Sequence, residues 1–342
     1  RLYRRSPLAR TLFSFFTVAL VFLIFADLEI ATVDPWDEFG RLLTGIVTPD
    51  FFATENLISA LVNTLAFAFL GVAFGVGFGF LLALGFHSRA VRTFCVVVRA
   101  VHELFWALIF LQLFGLSPLT GILAIGIPYA GIVAKVFAEI LEEADGRAVD
   151  AAPSGASRLS TLLFVRLPDV WSHFRTYALY RLECGLRSSA VLGFVGLPTL
   201  GFHLETAFRQ GRYSEVSALL ILFYVIIASQ RLWARRQLVP VYLIGAALVL
   251  PWATHISGAN ITRFLTIDIV PFPLRNGDGI SGLIDWLWLL ISTQALPGSI
   301  ATIQLTMIAL VATGFLSALM FPFISPQMFG RPVRGISHFA LV

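Results

Sequence analysis

The chain has 342 residues, of which 58% are hydrophobic and only 13% charged, with a net charge of +4 and a mean hydropathy of +0.85. Soluble domains carry about 25% charged residues, and a soluble fold of this length has too little interior to hide so much apolar side chain. Composition therefore argues against a soluble protein, and the arginines argue against a nucleic-acid partner, because they form short clusters rather than one basic face.

Crossing the hydrocarbon layer takes about 20 apolar residues in a helix. Eight segments approach that length: 12–26, 57–86, 96–116, 119–140, 174–195, 216–233, 238–253 and 300–324. The first follows Arg1, Arg4, Arg5 and Arg10 with no small-residue cleavage site behind it, so an uncleaved span is expected rather than a signal peptide. The start at Arg1 and the stop at Val342 within an apolar stretch read as a fragment. Asp27, Glu29, Asp34, Asp37, Glu38, Asp50 and Glu55 crowd the first loop against Arg41 alone. Arg89, Arg92 and Arg99, the arginines from 147 to 175, then Arg231, Arg235 and Arg236, then Arg331 and Arg334 all fall on the other side if the spans alternate. Eight spans with a cytoplasmic N-terminus satisfy the positive-inside rule at every loop.

Within the second segment Gly71, Gly75 and Gly79 recur every four residues, and Gly121, Gly126 and Gly131 accompany Pro128 in the fourth. Small residues let helix backbones approach closely in a bilayer, and Pro128 is expected to kink its span. Cys95 and Cys184 are too few and too far apart for a disulfide framework or a metal site, and the six histidines have no ligand spacing, so no metal and no cofactor is expected. An offset of 242 aligns Thr64 with Thr306, Arg89 with Arg331 and Arg92 with Arg334. That reads as a duplication: residues 1–237 form a first transmembrane domain and 238–342 begin a second, incomplete one.

The loop from 142 to 168 is longer than a connector needs. It contains Asp150, Ala151, Ala152, then Gly155, Ala156, Ser157, and closes on Leu167 and Pro168. Leu159, Leu162, Leu163 and Leu167 lie on one helical face. An acid followed by two alanines, a Gly-Ala-Ser and a Leu-Pro thirteen residues after the glycine resemble the EAA loop of ABC importer permeases. Around it, Ala130–Glu139, Tyr180–Gly196, Gly201-Phe202, Ala207–Arg209 and Tyr213–Ala218 resemble the phosphonate-transport permeases. Asp150 stands five residues before Gly155 rather than that family's six, Pro153 falls inside the expected coupling helix, and Leu197-Pro198-Thr199 replaces a glycine-rich turn.

The resemblance implies an all-α polytopic membrane protein with the type I ABC importer fold, in a bacterial inner membrane. It implies a permease that moves phosphonate or a related phosphorus oxyanion and is not itself an enzyme. The expected partners are two copies of an ATPase, a periplasmic substrate-binding protein, and a second permease half in the same chain or in a dimer. The cytoplasmic EAA-type loop would dock on the ATPase. No Gly-x-x-x-x-Gly-Lys-[Ser/Thr] sequence is present, so ATP hydrolysis belongs to a partner. The alternative, an ion-coupled carrier, calls for paired acids within the spans, and Glu183 is read as the one clear acid there.

Arg181, Glu183 and Arg187 interrupt the fifth segment beside Ser188 and Ser189. Glu183 and Arg187 are four apart and can pair, which gives two readings: an internal salt bridge that fixes packing, or a translocation path in which Arg187, Ser188, Ser189 and Glu183 meet the anion. Lys135 and Glu139 are spaced for a similar pair at the cytoplasmic end of the fourth segment.

Overall fold

The structure, a computed structural model, describes residues 7–25, 34–144, 153, 155–252 and 257–324, and every regular element among them is helical. Each of the eight apolar segments has a helical counterpart. Three helices are long and apolar enough to cross a membrane, two further candidates are bent pairs, and three are shorter apolar helices. The chain divides into two compact units, Trp36–Leu265 and a second formed by Arg1–Pro35 with Thr266–Val342.

The larger unit is built on α3 (Leu57–Leu84) and α6 (Pro118–Glu143). Here the glycine spacing takes effect. A Cβ on Gly71, Gly75 or Gly79 would stand 2.9, 2.7 and 2.7 Å from the Cβ atoms of Ile125, Tyr129 and Val133, so α6 occupies the groove that the three glycines open. Gly121 and Gly126 return the fit, lying under the rings of Phe67 and Phe74. α6 runs through the buried Pro128 as one helix.

Two departures from the sequence expectation shape this unit. The first acidic loop contains a helix, α2 (Pro35–Val47), whose polar side is fastened to residues 211–217. Arg41 donates to the Gly211 carbonyl, Ser217 to that of Gly45, and Tyr213 to the Glu38 carboxylate. The third apolar segment is broken into α4 (Arg89–Ala100) and α5 (Glu103–Phe114), bent by 94°. Val101 is extended, the His102 imidazole caps the Leu104 amide, and Trp106 Nε1 donates to the Val98 carbonyl across the bend. The corner thus supplies its own partners for the backbone groups that the break exposes.

Beyond α6, helical structure resumes at Arg158–Thr161 and passes through a wide π-turn, Leu162–Arg166, into α7 (Leu167–Val191). Pro168 stands in the first turn of α7. It follows the wide turn, whose last bond runs from the Leu167 amide to the Leu162 carbonyl and leaves room for a residue without an N–H. α7 ends in a 3₁₀ turn, Leu192–Val195, and α8 (Leu200–Arg209) folds back at 54°. The fold-back is tight enough to require glycine: a Cβ on Gly201 would meet the Ala190 carbonyl oxygen at 1.8 Å. The intervening Leu197-Pro198-Thr199 turn is tied to α3, with Asn63 donating to the Pro198 carbonyl and the Leu200 amide to Thr64 Oγ1. α9 (Tyr213–Ala228) and α10 (Val239–Val249) follow, and Tyr242 of α10 packs on Phe69 of α3. A short helix, α11 (Gly258–Arg263), lies near the end of the unit.

In the second unit, α12 (Gly279–Leu290), a wide turn at Ile291–Ala295 and α13 (Leu296–Ile324) form a run of which 45 residues, Gly279–Phe323, are apolar enough to span. Residues 279–297 of this run lie outside the eight segments read from the sequence. α13 pairs with α1 (Pro7–Phe25) around Phe16, Leu20, Ile308 and Phe315.

Candidate functional site

Two regions hold the residues singled out in the sequence. At one end of the larger unit, Gly155, Ala156 and Ser157 are exposed. Gly155 has φ = +109°, a conformation that favours glycine, and the Ala156 amide closes a turn on the Pro153 carbonyl. Ser157 Oγ accepts from the Ser160 amide and so starts the helix that leads to α7. Leu167 packs among Ala83, Phe137, Val170 and Phe174. A cavity of about 560 Å³ lies between this segment and the ends of α3 and α6, with Ala83, His87, Glu142, Ala156 and Arg166 in its wall. Asp150, Ala151 and Ala152 lie outside the described residues.

The second region is the middle of α7, where the structure separates residues that adjoin in sequence. Arg187 and Glu183 form an ion pair of 2.9 Å with side chains 55% and 33% exposed, which is the salt bridge the i,i+4 spacing allowed. Ser189 is fully buried and donates to the Leu186 carbonyl of its own helix. Ser188 faces the bundle. Its Oγ donates to Glu103 at 2.7 Å and lies 3.0 Å from the Tyr129 hydroxyl. A serine has one proton to give, so Tyr129 is the donor to Ser188, and a chain of hydrogen bonds joins α6, α7 and α5.

Tyr177, Arg181, Cys184 and Ser188 are spaced 4, 3 and 4 apart, one stripe of α7. Nε and Nη2 of Arg181 both donate to the Tyr177 hydroxyl, at 2.8 and 2.6 Å. Its guanidinium carbon stands 5.7, 5.0 and 5.3 Å from the ring centres of Tyr129, Tyr177 and Tyr180. Glu103 and Tyr129 were missed in the sequence reading, and Glu183 is not the one acid in a predicted span. The signal was there: His102-Glu103 interrupts the third apolar segment where the helix breaks.

At the opposite end of α9 from Ala228, Glu215 is buried, accepting from Thr54 at 2.7 Å and lying 2.5 Å from Arg212 Nη1. Glu205–Arg209 and Lys135–Glu139 also pair, at 2.6 and 3.4 Å. Among the described residues no group of His, Cys, Asp and Glu has the arrangement of a metal site.

Residues 71–240 match the binding-protein-dependent transport system inner membrane components. A phosphite transport system permease protein of Stutzerimonas stutzeri is 34% identical over 189 residues, 52% of this chain and 69% of that one. The phosphate-import permease protein of Mycolicibacterium smegmatis is 32% identical over 217 residues, 60% of this chain but 40% of that one. A cryptic phosphonate transport system permease protein of Escherichia coli K12, assigned as such provisionally, is 33% identical over 116 residues, 32% of this chain and 95% of that one.

Proposed function

The chain belongs to the family of binding-protein-dependent transport system inner membrane components, and from that premise we propose that it is the permease of an ATP-driven importer for phosphite, phosphonate or phosphate. The observation that carries the reading is the 34% identity to a phosphite permease across 69% of that protein's length, supported by relatives named for phosphate and phosphonate. The shared chemistry is a tetrahedral phosphorus oxyanion, and family membership speaks against an ion-coupled carrier. As a multi-pass inner-membrane component the chain has no hydrolytic chemistry of its own. An ATPase subunit and a substrate-binding protein supply energy and cargo.

In this reading the N-terminus is cytoplasmic, and so is the loop 142–168, where Asp150, Ala151, Ala152, Gly155, Ala156, Ser157, Leu167 and Pro168 dock on the ATPase. The turn at Gly155 and the cavity behind Ala156 give a groove-and-knob surface suited to that contact. The continuous helix from Arg158 to Val191 is a lever by which movement at the loop reaches mid-membrane. Ser188, on the face of α7 turned to the bundle, borders the path, and the Glu183–Arg187 pair lies on the more exposed face of the same helix. Residues 238–342 begin a second repeat.

The test is uptake of radiolabelled phosphite and phosphate by proteoliposomes holding the permease with its ATPase and binding protein, in full-length form. ATP-dependent accumulation is expected, and none for either anion ends the importer reading. In the same preparation, a cysteine replacing Ser157 should react with a membrane-impermeant reagent only from the ATP side.

A further inference from the structure

Three charges interrupt the fifth segment; Glu183 and Arg187 pair with each other, and among the described residues no carboxylate pairs with Arg181. It lies fourteen residues into α7, so about 21 Å along the helix from Leu167, at the level where α7 meets the centre of α3: a Cβ on Gly185, one turn away, would touch Val72. An arginine at such depth costs at least about 2.5 kcal/mol to insert. A fold with no use for the charge would neutralise it, as the same helix neutralises Arg187, six residues further on, with Glu183. Instead three tyrosine rings surround it. Their faces stabilise a cation without cancelling its charge.

The donor count points the same way. A guanidinium has five N–H groups in a fixed fork, and among the described residues the two that donate both go to the one Tyr177 oxygen. The remainder match an oxyanion, which arginine binds through two parallel hydrogen bonds. Arg181 is half-buried and Tyr180 is 53% exposed, so one side of the cage is open.

We propose that Arg181, with the hydroxyls of Tyr177 and Tyr180, is the station at which a phosphorus oxyanion rests in the middle of the membrane. Phosphite or phosphate oxygens take the free N–H groups, and the phenols turn to donate to the same anion. Glu103, linked through Ser188 to Tyr129, places a negative charge behind the cage. Its repulsion keeps binding weak enough for release, which a transport site needs.

The inference rests on the importer reading, and the experiment separates the two. In the reconstituted complex, phosphite uptake and the ATP hydrolysis evoked by phosphite-loaded binding protein are measured together for the wild type, Arg181→Gln, Arg181→Lys and Tyr180→Phe. A station for the anion predicts uncoupling: Arg181→Gln loses uptake about tenfold or more with hydrolysis kept. Arg181→Lys, which keeps the charge but not the fork, falls between. Tyr180→Phe, which keeps the ring and the packing, loses uptake a few-fold. The last variant decides if Arg181→Gln fails to assemble. Should uptake and hydrolysis fall in step in Tyr180→Phe and Arg181→Lys, or should neither change, Arg181 is only a packing element. A wild-type complex that accumulates neither phosphite nor phosphate removes the importer reading instead.

Discussion

α6 and the run Gly279–Phe323 are both long and apolar enough to cross a membrane, yet 72% of the most apolar stretch of α6 is buried inside the protein and none of that of the run. The difference follows the small residues. α3 carries glycines four residues apart that α6 fills, and Gly121 and Gly126 of α6 are filled by Phe67 and Phe74 of α3, whereas Gly298 and Gly314 in α13 have nothing within 4 Å of where a Cβ would stand. Hydropathy sets the solvent a helix can lie in. The spacing of its small residues sets where a second helix will pack, since lipid tails give no hydrophobic drive for helices to associate.

Enlarging one glycine in each region breaks the comparison most directly. In Gly75→Leu the new side chain starts 2.7 Å from Tyr129 Cβ and 3.1 Å from the Gly126 carbonyl oxygen, neither of which is the flexible end of a chain. Forced overpacking of this kind costs about 1–3 kcal/mol and sometimes more. The expected result is a lower melting temperature in detergent and loss of the folded peak on size exclusion. Gly314→Leu should change stability by less than about 0.5 kcal/mol. Equal shifts for the two would mean that glycine spacing does not organise the bundle.

The same contrast explains what was legible in the sequence. That α3 packs closely on a neighbour could be read because its cause, a four-residue glycine period, lies within one segment; that the neighbour is α6 came from the structure. The corner between α4 and α5 could not be read, because a hydropathy window averages His102 and Glu103 into the apolar residues on either side. What makes the corner is a set of bonds to Leu104 and Val98. α2 was read as an acidic loop because its charges were counted and its helical period was not. At the site, the Glu183–Arg187 pair was legible for the reason the glycines were, being four residues apart on one helix. Glu103 and Tyr129 reach Ser188 from two other helices, and no periodicity within α7 could announce them. The depth of Arg181 was visible, but its cage of three rings required the packing of α6 on α7.

A subtler test uses the two threonines that the 242-residue offset aligns. Thr64 is buried, donates to the Ala60 carbonyl and accepts from the Leu200 amide that begins α8. Thr306 donates to the Thr302 carbonyl of its own helix and is exposed. Thr64→Val leaves a buried helix-start amide without an acceptor, a loss of about 1–3 kcal/mol. Thr306→Val leaves every backbone group bonded and should stay within about 0.5 kcal/mol. The measurement is again thermal unfolding in one detergent. A Thr64→Val protein as stable as wild type would show that the Leu197–Leu200 turn is not held by α3.

The smallest effect is expected at the end of α6, where Lys135 and Glu139 pair at 3.4 Å with side chains 42% and 50% exposed. An exposed i,i+4 pair contributes about 0.3–0.5 kcal/mol, against about 1–3 kcal/mol for overpacking the glycine groove. A double-mutant cycle with Lys135→Gln and Glu139→Gln should return a coupling energy in that range, shrinking as salt shortens the reach of the charges. Packing accounts for the burial of α6 only if this number is small. A coupling above about 1 kcal/mol, well beyond what exposed pairs give, would make electrostatics at its tip a second reason why α6 is held in the bundle. The contrast with Gly279–Phe323, whose single charged residue is Asp285, would then rest on charge as well as on glycine.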